Sequence, residues 1–196
     1  MPPKRDRIVY QFRIVLRCVD PPVWRRFQVW EDVTLNQLHQ TIQTVMGWEN
    51  YNLNEFVIGR RKFGPPDPDG MRPVINSSRV RLCRAVNRVG REFEYLYDFG
   101  DGWWHDLLLE AILLPEPNKK YPHCLGGAQS CPPEDVGGPH GYVNYLAALA
   151  DTNHERHEEM MQWRGPFDSE NFSLKTINQL VNHQFQRARR TAARLH

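Results

Sequence analysis

Two alternating runs joined by a proline turn, with a capped helix directly behind them, open this chain and restrict what it can become. From Ile8 to Val19, Tyr10, Phe12, Ile14, Leu16 and Cys18 share one face, while Gln11, Arg13 and Arg17 share the other. That period of two is a half-buried strand. Asp20-Pro21-Pro22 breaks the run with turn chemistry. Val23 to Trp30 alternates again, with Val23, Phe27 and Val29 on one face and Trp24, Arg26 and Trp30 on the other. Two such runs around a short turn predict an antiparallel hairpin. Leu35, Leu38, Ile42, Val45 and Met46 then follow helical spacing. Thr34 and Gln37 form a capping-box pattern in front, and Gly47 stands where a left-handed residue ends a helix. A hairpin with a helix crossing it is a β-grasp-like start.

The remainder reads as more strands, then helices. Glu55 to Phe63 is a strand and Gly64 to Asn76 a loop rich in Pro, Asp and Gly. Phe93 to Phe99 and Trp104 to Leu114 are strands around a turn in which Gly100 and Gly102 supply positive φ. Pro115 to Pro139 reads as one long loop. Tyr142, Tyr145, Leu146 and Leu149 mark a helix, His154 to Trp163 a short acidic one, and Ser173 caps a third carrying Leu174, Ile177, Leu180, Val181 and Phe185. The expected fold class is α+β, an antiparallel sheet followed by a helical C-terminal part. The 196 residues suit one domain, with a core over about 8–186 and a basic tail over 187–196.

The formal net charge is only +2. Lys4, Arg5, Arg7, Arg13 and Arg17 crowd the start, and Arg187, Arg189, Arg190 and Arg194 the end. Such ends are either solvated termini or a weak, salt-sensitive hold on a nucleic-acid backbone. No run approaches the roughly 20 apolar residues of a membrane span, and Met1 to Asp6 is too polar for a signal peptide. Four cysteines are too few for a disulfide scaffold at this length, so the expected compartment is the cytoplasm.

The segments YDFGDGWWH (Tyr97 to His105) and CLGGAQSCPPEDVGGPHGY (Cys124 to Tyr142), with LNQLHQTIQTVMGW (Leu35 to Trp48) and DTNHERHEEMMQW (Asp151 to Trp163), carry a resemblance. The chain resembles the plasmid Ri open-reading-frame-three-like proteins, often labelled passenger proteins of insertion elements. The resemblance runs from about Tyr10 to Leu180 and implies an α+β fold more than an activity. Members of that family typically carry a histidine-leucine-histidine pattern after the Gly-Trp that closes the first helix. Asn52-Leu53-Asn54 stands there in this chain. Asparagine keeps hydrogen-bonding capacity but cannot shuttle a proton near neutral pH.

Three constellations bear on function. Asp98, Asp101 and His105 surround the glycine turn. An aspartate orienting the imidazole would make a general base, whereas the structural reading has the aspartates holding the turn and His105 packed at the strand start. His105, Cys124 and Cys131 could share a divalent metal such as zinc, although six residues between the cysteines fit zinc spacing poorly. Trp24, Arg26 and Trp30 share one strand face, suited to base stacking or to a protein interface unless a helix covers it. His39 lies off the strict apolar stripe of the first helix and is expected at the surface.

Nucleotide-dependent and standard hydrolytic chemistry lack their motifs: the chain has no phosphate-binding loop, G-x-S-x-G or H-E-x-x-H. The first serine is Ser77 and no histidine has an arginine three residues on, so neither kind of site-specific recombinase has its chemistry here. The expected function is a non-enzymatic binding or accessory module that recognises a protein or nucleic acid. The alternative is a metal-dependent or acid–base enzyme centred on His105 and the Cys124–Asp135 loop.

Overall fold

The computed structural model describes residues 7–67, 70, 71 and 73–194, with side chains through Phe185. The opening hairpin forms as β1 (Val9–Leu16) and β2 (Trp24–Trp30), antiparallel, with Tyr10 opposite Val29 and Arg13 opposite Arg26. Helix α1 (Leu35–Met46) follows with its full capping box: Gln37 N donates to Thr34 Oγ1 at 3.2 Å and Thr34 N to Gln37 Oε1 at 2.8 Å. Gly47 closes it at φ 102°. Leu35, Leu38, Ile42 and Val45 are fully buried in one core with Phe12, Ile14 and Phe27, so the stripe read from spacing is the packing face.

The sheet grows to eight strands in the order β5-β4-β3-β6-β7-β1-β2-β8. β3 (Asn54–Ile58) and β4 (Arg61–Gly64) replace the one strand expected over Glu55 to Phe63. Gly59, at φ 63°, starts the two-residue turn between them. β5 (Ile75–Asn76) sits inside the expected loop and pairs parallel to β4; every other pairing is antiparallel. A 3-10 turn (Ser77–Arg79) and a one-turn helix α2 (Leu82–Ala85) lead to β6 (Glu92–Tyr97) and β7 (Trp103–Leu113), which flank the glycine turn as expected.

Residues 115–139 are not one loop. β8 (His123–Ala128) lies within them and pairs with β2. Its sequence, HCLGGA, gives no alternation, because the site demands glycine instead of a side chain. A Cβ on Gly127 would stand 2.6 Å from Trp24 O and 2.7 Å from the Phe172 ring. The outer edge of β8 is sealed at Cys124. Cys124 N donates to Asn178 Oδ1 and Asn178 Nδ2 donates to Cys124 O, each at 2.9 Å.

Three helices complete the chain: α3 (Gly138–Ala150), α4 (His157–Arg164) and α5 (Leu174–Arg194). Ser173 caps α5 by accepting Thr176 N at 3.3 Å. The stretch expected as a basic tail continues the α5 backbone as far as Arg194, and its side chains, like Lys4 and Arg5, lie outside the described residues. Among the described residues no helix is long and apolar enough to cross a membrane.

Arg25 ties the layers together. It has the inward parity of Val23 and Phe27 and is 2% exposed. Its guanidinium donates to four carbonyls: Nε to Val45 O at 2.8 Å, Nη1 to Trp24 O at 2.8 Å and Ala128 O at 2.6 Å, and Nη2 to Gln129 O at 2.8 Å. β2, β8 and the C-terminal end of α1 thereby meet on one side chain. Cation and helix end suit each other, because the last carbonyls of a helix carry partial negative charge.

Candidate functional site

The aspartates of the glycine turn are structural hinges between segments. Asp98 adopts φ 55°, and its Oδ1 accepts Gly100 N at 2.8 Å and Asp101 N at 3.3 Å. Asp101 reaches further: its Oδ2 accepts Gly137 N at 3.1 Å, at the start of α3. Gly138 lies so close that a Cβ there would be 2.4 Å from Asp101 O. The turn and the 129–137 segment are therefore in contact, but through Asp101 and not through His105.

His105 is sealed in the core at 0% exposure. Its Nδ1 lies 3.3 Å from Tyr95 O, and its ring packs against Tyr95 and Trp48. Burial pushes its pKa down to about 4, so the imidazole is neutral at physiological pH. None of its hydrogen bonds goes to a carboxylate among the described residues. Cys124 is likewise inward-facing but on β8, three strand steps from β7 in the sheet order. At roughly 4.8 Å per step that is about 14 Å, far beyond a shared ion. Cys131 lies beyond the end of β8, packed against the edge of the core. The expected zinc group of His105, Cys124 and Cys131 is thus not brought together, and no group of three or more His, Cys, Asp or Glu among the described residues could hold a metal. Burial pushes both thiols up, which keeps them protonated.

A different set converges at the same junction. Tyr97, at the end of β6, donates its hydroxyl to Glu134 Oε1 at 2.9 Å. Glu134 Oε1 also accepts Glu49 N at 2.8 Å, and Oε2 accepts Asn52 Nδ2 at 3.5 Å. One turn of α1 away, His39 Nδ1 sits 2.7 Å from Tyr95 Oη and Nε2 2.7 Å from Asn50 Oδ1. Asn54 Nδ2 approaches His39 Nε2 at 3.3 Å, and Gln43 Nε2 donates to Tyr95 Oη at 2.9 Å. Asn52 and Asn54, where the resemblance implies histidines, thus point at Glu134 and His39.

His39 is 3% exposed, not at the surface as expected. Residues 35, 39, 42 and 46 fall at i, i+4, i+7 and i+11, so the buried stripe is wider than the apolar residues alone trace. Burial pushes the His39 pKa down to about 4, with the Asn50 contact pulling the other way. Asn50 carried no signal of its own, and Glu134 only its place in the acidic end of the Cys124–Asp135 loop; the pairing of that glutamate with a strand tyrosine is a tertiary fact.

Glu134 is 4% exposed and forms no ion pair among the described residues. It lines a cleft of about 280 Å³ with Glu49, Cys131, Tyr145, Arg164 and Phe167. Arg164 and Glu49 meet at the rim at 3.4 Å. Glu134 is thus held by three neutral donors, and the guanidinium that lines the same cleft is paired with Glu49 instead, which leaves the Glu134 charge open to a positive group.

The other face of the sheet holds Trp24, Arg26 and Trp30, all half-exposed. Trp24 lies between the guanidinium groups of Arg13 and Arg26, each 5.6 Å from its ring, and Arg7 stacks at 4.2 Å on Trp30. Arg26 is paired bidentately with Glu110 at 2.7 and 2.8 Å. Arg17 bridges Glu94 and Asp106 at 2.6 and 2.5 Å, and Arg7 meets Asp32 at 2.8 Å. The face is aromatic and charged, but Arg7, Arg17 and Arg26 are already matched by carboxylates, which is poor preparation for phosphate.

Comparison with known proteins agrees with this architecture. A 40%-identical relative over 189 residues, 93% of this chain and 97% of its own length, is the uncharacterized protein y4hQ of Sinorhizobium fredii (strain NBRC 101917 / NGR234). The crystal structure of a protein of unknown function, MM3350 from Methanosarcina mazei Go1, is similar with a TM-score of 0.79 and 35% identity, covering 87% of this chain and 98% of that one. Residues 8–176 match the family described as plasmid pRiA4b ORF-3-like protein, spanning the hairpin, the sheet, the Tyr97–Glu134 junction and the start of α5. The chain belongs to the plasmid pRiA4b ORF-3-like family.

Proposed function

We propose that this protein is a non-enzymatic binding module whose ligand site is the Glu134 cleft, and that the group it reads is a cation. The observation that supports this is the state of Glu134: a buried carboxylate with three donors, no ion pair among the described residues and a cleft in front of it. The groups that catalysis would call on are otherwise engaged. His39 and His105 are buried and neutral, and the Cys124 and Cys131 thiols are held protonated by burial. A charged receptor without an acid–base partner fits recognition better than turnover. An accessory role of this kind suits a protein of a plasmid reading-frame family, and four unpaired cysteines suit a reducing cytoplasm.

The test uses a simple cation. Butylammonium, titrated at constant ionic strength and followed by the melting temperature, should stabilise the protein and should not stabilise Glu134→Gln. Equal behaviour of the two proteins would remove Glu134 from the site.

A further inference from the structure

The Glu134 cleft does not end at Cys131. A second cleft of about 280 Å³ runs on from it, lined by Arg25, Met46, Phe172 and Ile177, and the two share Gly47, Cys131 and Phe167. They are two ends of one groove between the 129–137 segment and the C-terminal end of α1. At one end is Glu134, a buried carboxylate without an ion pair among the described residues, while Arg164 at the rim is taken by Glu49. At the other is Arg25, a buried guanidinium without a carboxylate, whose described partners are all backbone carbonyls. Met46, Cys131 and Phe167 lie between them, with Ser130, Asn171, Ser173 and Thr176 on the Arg25 side.

A guanidinium carries five N–H donors. The four carbonyl bonds use Nε, both Nη1 hydrogens and one Nη2 hydrogen. One Nη2 hydrogen remains, on a charge that carbonyl dipoles solvate but do not neutralise. The Phe172 ring lies over the group at 4.8 Å. Cys131 registers both ends: Arg25 pulls its thiol pKa down and Glu134 pushes it up, beneath the larger upward effect of burial. The groove thus carries opposite charges at its two ends, which a ligand with a matching pair of charges meets together.

We propose that this groove binds a small zwitterion of the amino-acid type, its ammonium on Glu134, its carboxylate on Arg25 and its carbon chain along Phe167 and Met46. The proposal rests on the reading of the Glu134 cleft as the binding site and adds the second charge. A monovalent cation satisfies only one end; a zwitterion satisfies both without adding net charge to the interior.

The test is calorimetric titration of the full chain with the straight-chain series from glycine to aminocaproate, which varies the separation of the two charges. Butylammonium, butyrate and the amide of the tightest member serve as single-charge comparisons. The expected result is one preferred chain length, bound at least about tenfold more tightly than its own amide, butylammonium or butyrate. Glu134→Gln, shown folded by its melting transition, should weaken that member by about tenfold to a hundredfold. If the amide or butylammonium binds as tightly as the acid, and Glu134→Gln still abolishes binding, the second charge is not read and the zwitterion is refuted while the cation site stands. If butyrate binds as tightly, if Glu134→Gln binds undiminished, or if nothing in the series binds at millimolar concentration, the zwitterion and the cation site fall together.

Discussion

The Tyr97 hydroxyl donates to Glu134 over 2.9 Å, and the same oxygen accepts Tyr51 N at 3.1 Å. One phenol therefore joins the end of β6, the segment after α1 and the loop before α3. Removing it leaves a partly buried amide and a buried carboxylate short of a partner. Tyr97→Phe should cost about 1–3 kcal/mol. Urea unfolding measures this directly, and a change below about half a kcal/mol would mean that the junction relaxes around the loss.

Two buried histidines make stability depend on acid. His39 and His105 both fall from 6.5 to about 4 in the fold because burial disfavours their charged forms. The unfolded chain then binds more protons than the folded one between those values. Stability is fully present above about pH 6.5 and is lost as pH falls towards 4, by up to about 3 kcal/mol for each histidine. His39→Asn should show a shallower loss over that window than the wild type. Parallel unfolding titrations at neutral and mildly acidic pH decide it; equal slopes would exclude His39 as a contributor.

The α1 stripe carries much of the core. Leu38 is fully buried, so Leu38→Ala loses its burial and leaves a cavity, at about 2–5 kcal/mol. A midpoint unchanged in urea would contradict the packing of α1 on the hairpin.

Gly127 admits no side chain. Its Cβ would meet the Trp24 carbonyl, which pairing with β8 holds in place, and the Phe172 ring. Gly127→Ala should destabilise by about 1–3 kcal/mol, as overpacking does, whereas Gly90→Ala meets no atom within 4 Å and pays only for its φ of 79°. A Gly127→Ala protein as stable as wild type would show that β8 can move off β2.

What the sequence made readable was local. Thr34, Gln37 and Gly47 act within a few residues of one another, so the ends of α1 could be placed before any tertiary contact was known. The hairpin followed from parity in the same way. β8 could not be read, because its strand is specified by what glycine leaves room for and not by alternation. The site was half visible. The glycine turn was expected to meet the Cys124–Asp135 loop through His105 and the cysteines; the contacts run through Tyr97 and Asp101 instead, and strand order separates His105 from Cys124. Arg25 gave a signal in its inward parity between Val23 and Phe27. Glu134 was marked only as part of the Cys124–Asp135 loop; its partners could not be read, because they come from β6 and the segment after α1.

Asn178 has a consequence for how the molecule behaves in a crowd. Its amide presents one acceptor and one donor to Cys124, which is what a neighbouring strand would offer. An incoming strand from another copy finds that position of β8 already taken, and the α5 backbone behind it in the way. The largest sheet edge of the molecule therefore carries its own terminator, and fibril-like addition of copies along the sheet is blocked at its widest opening.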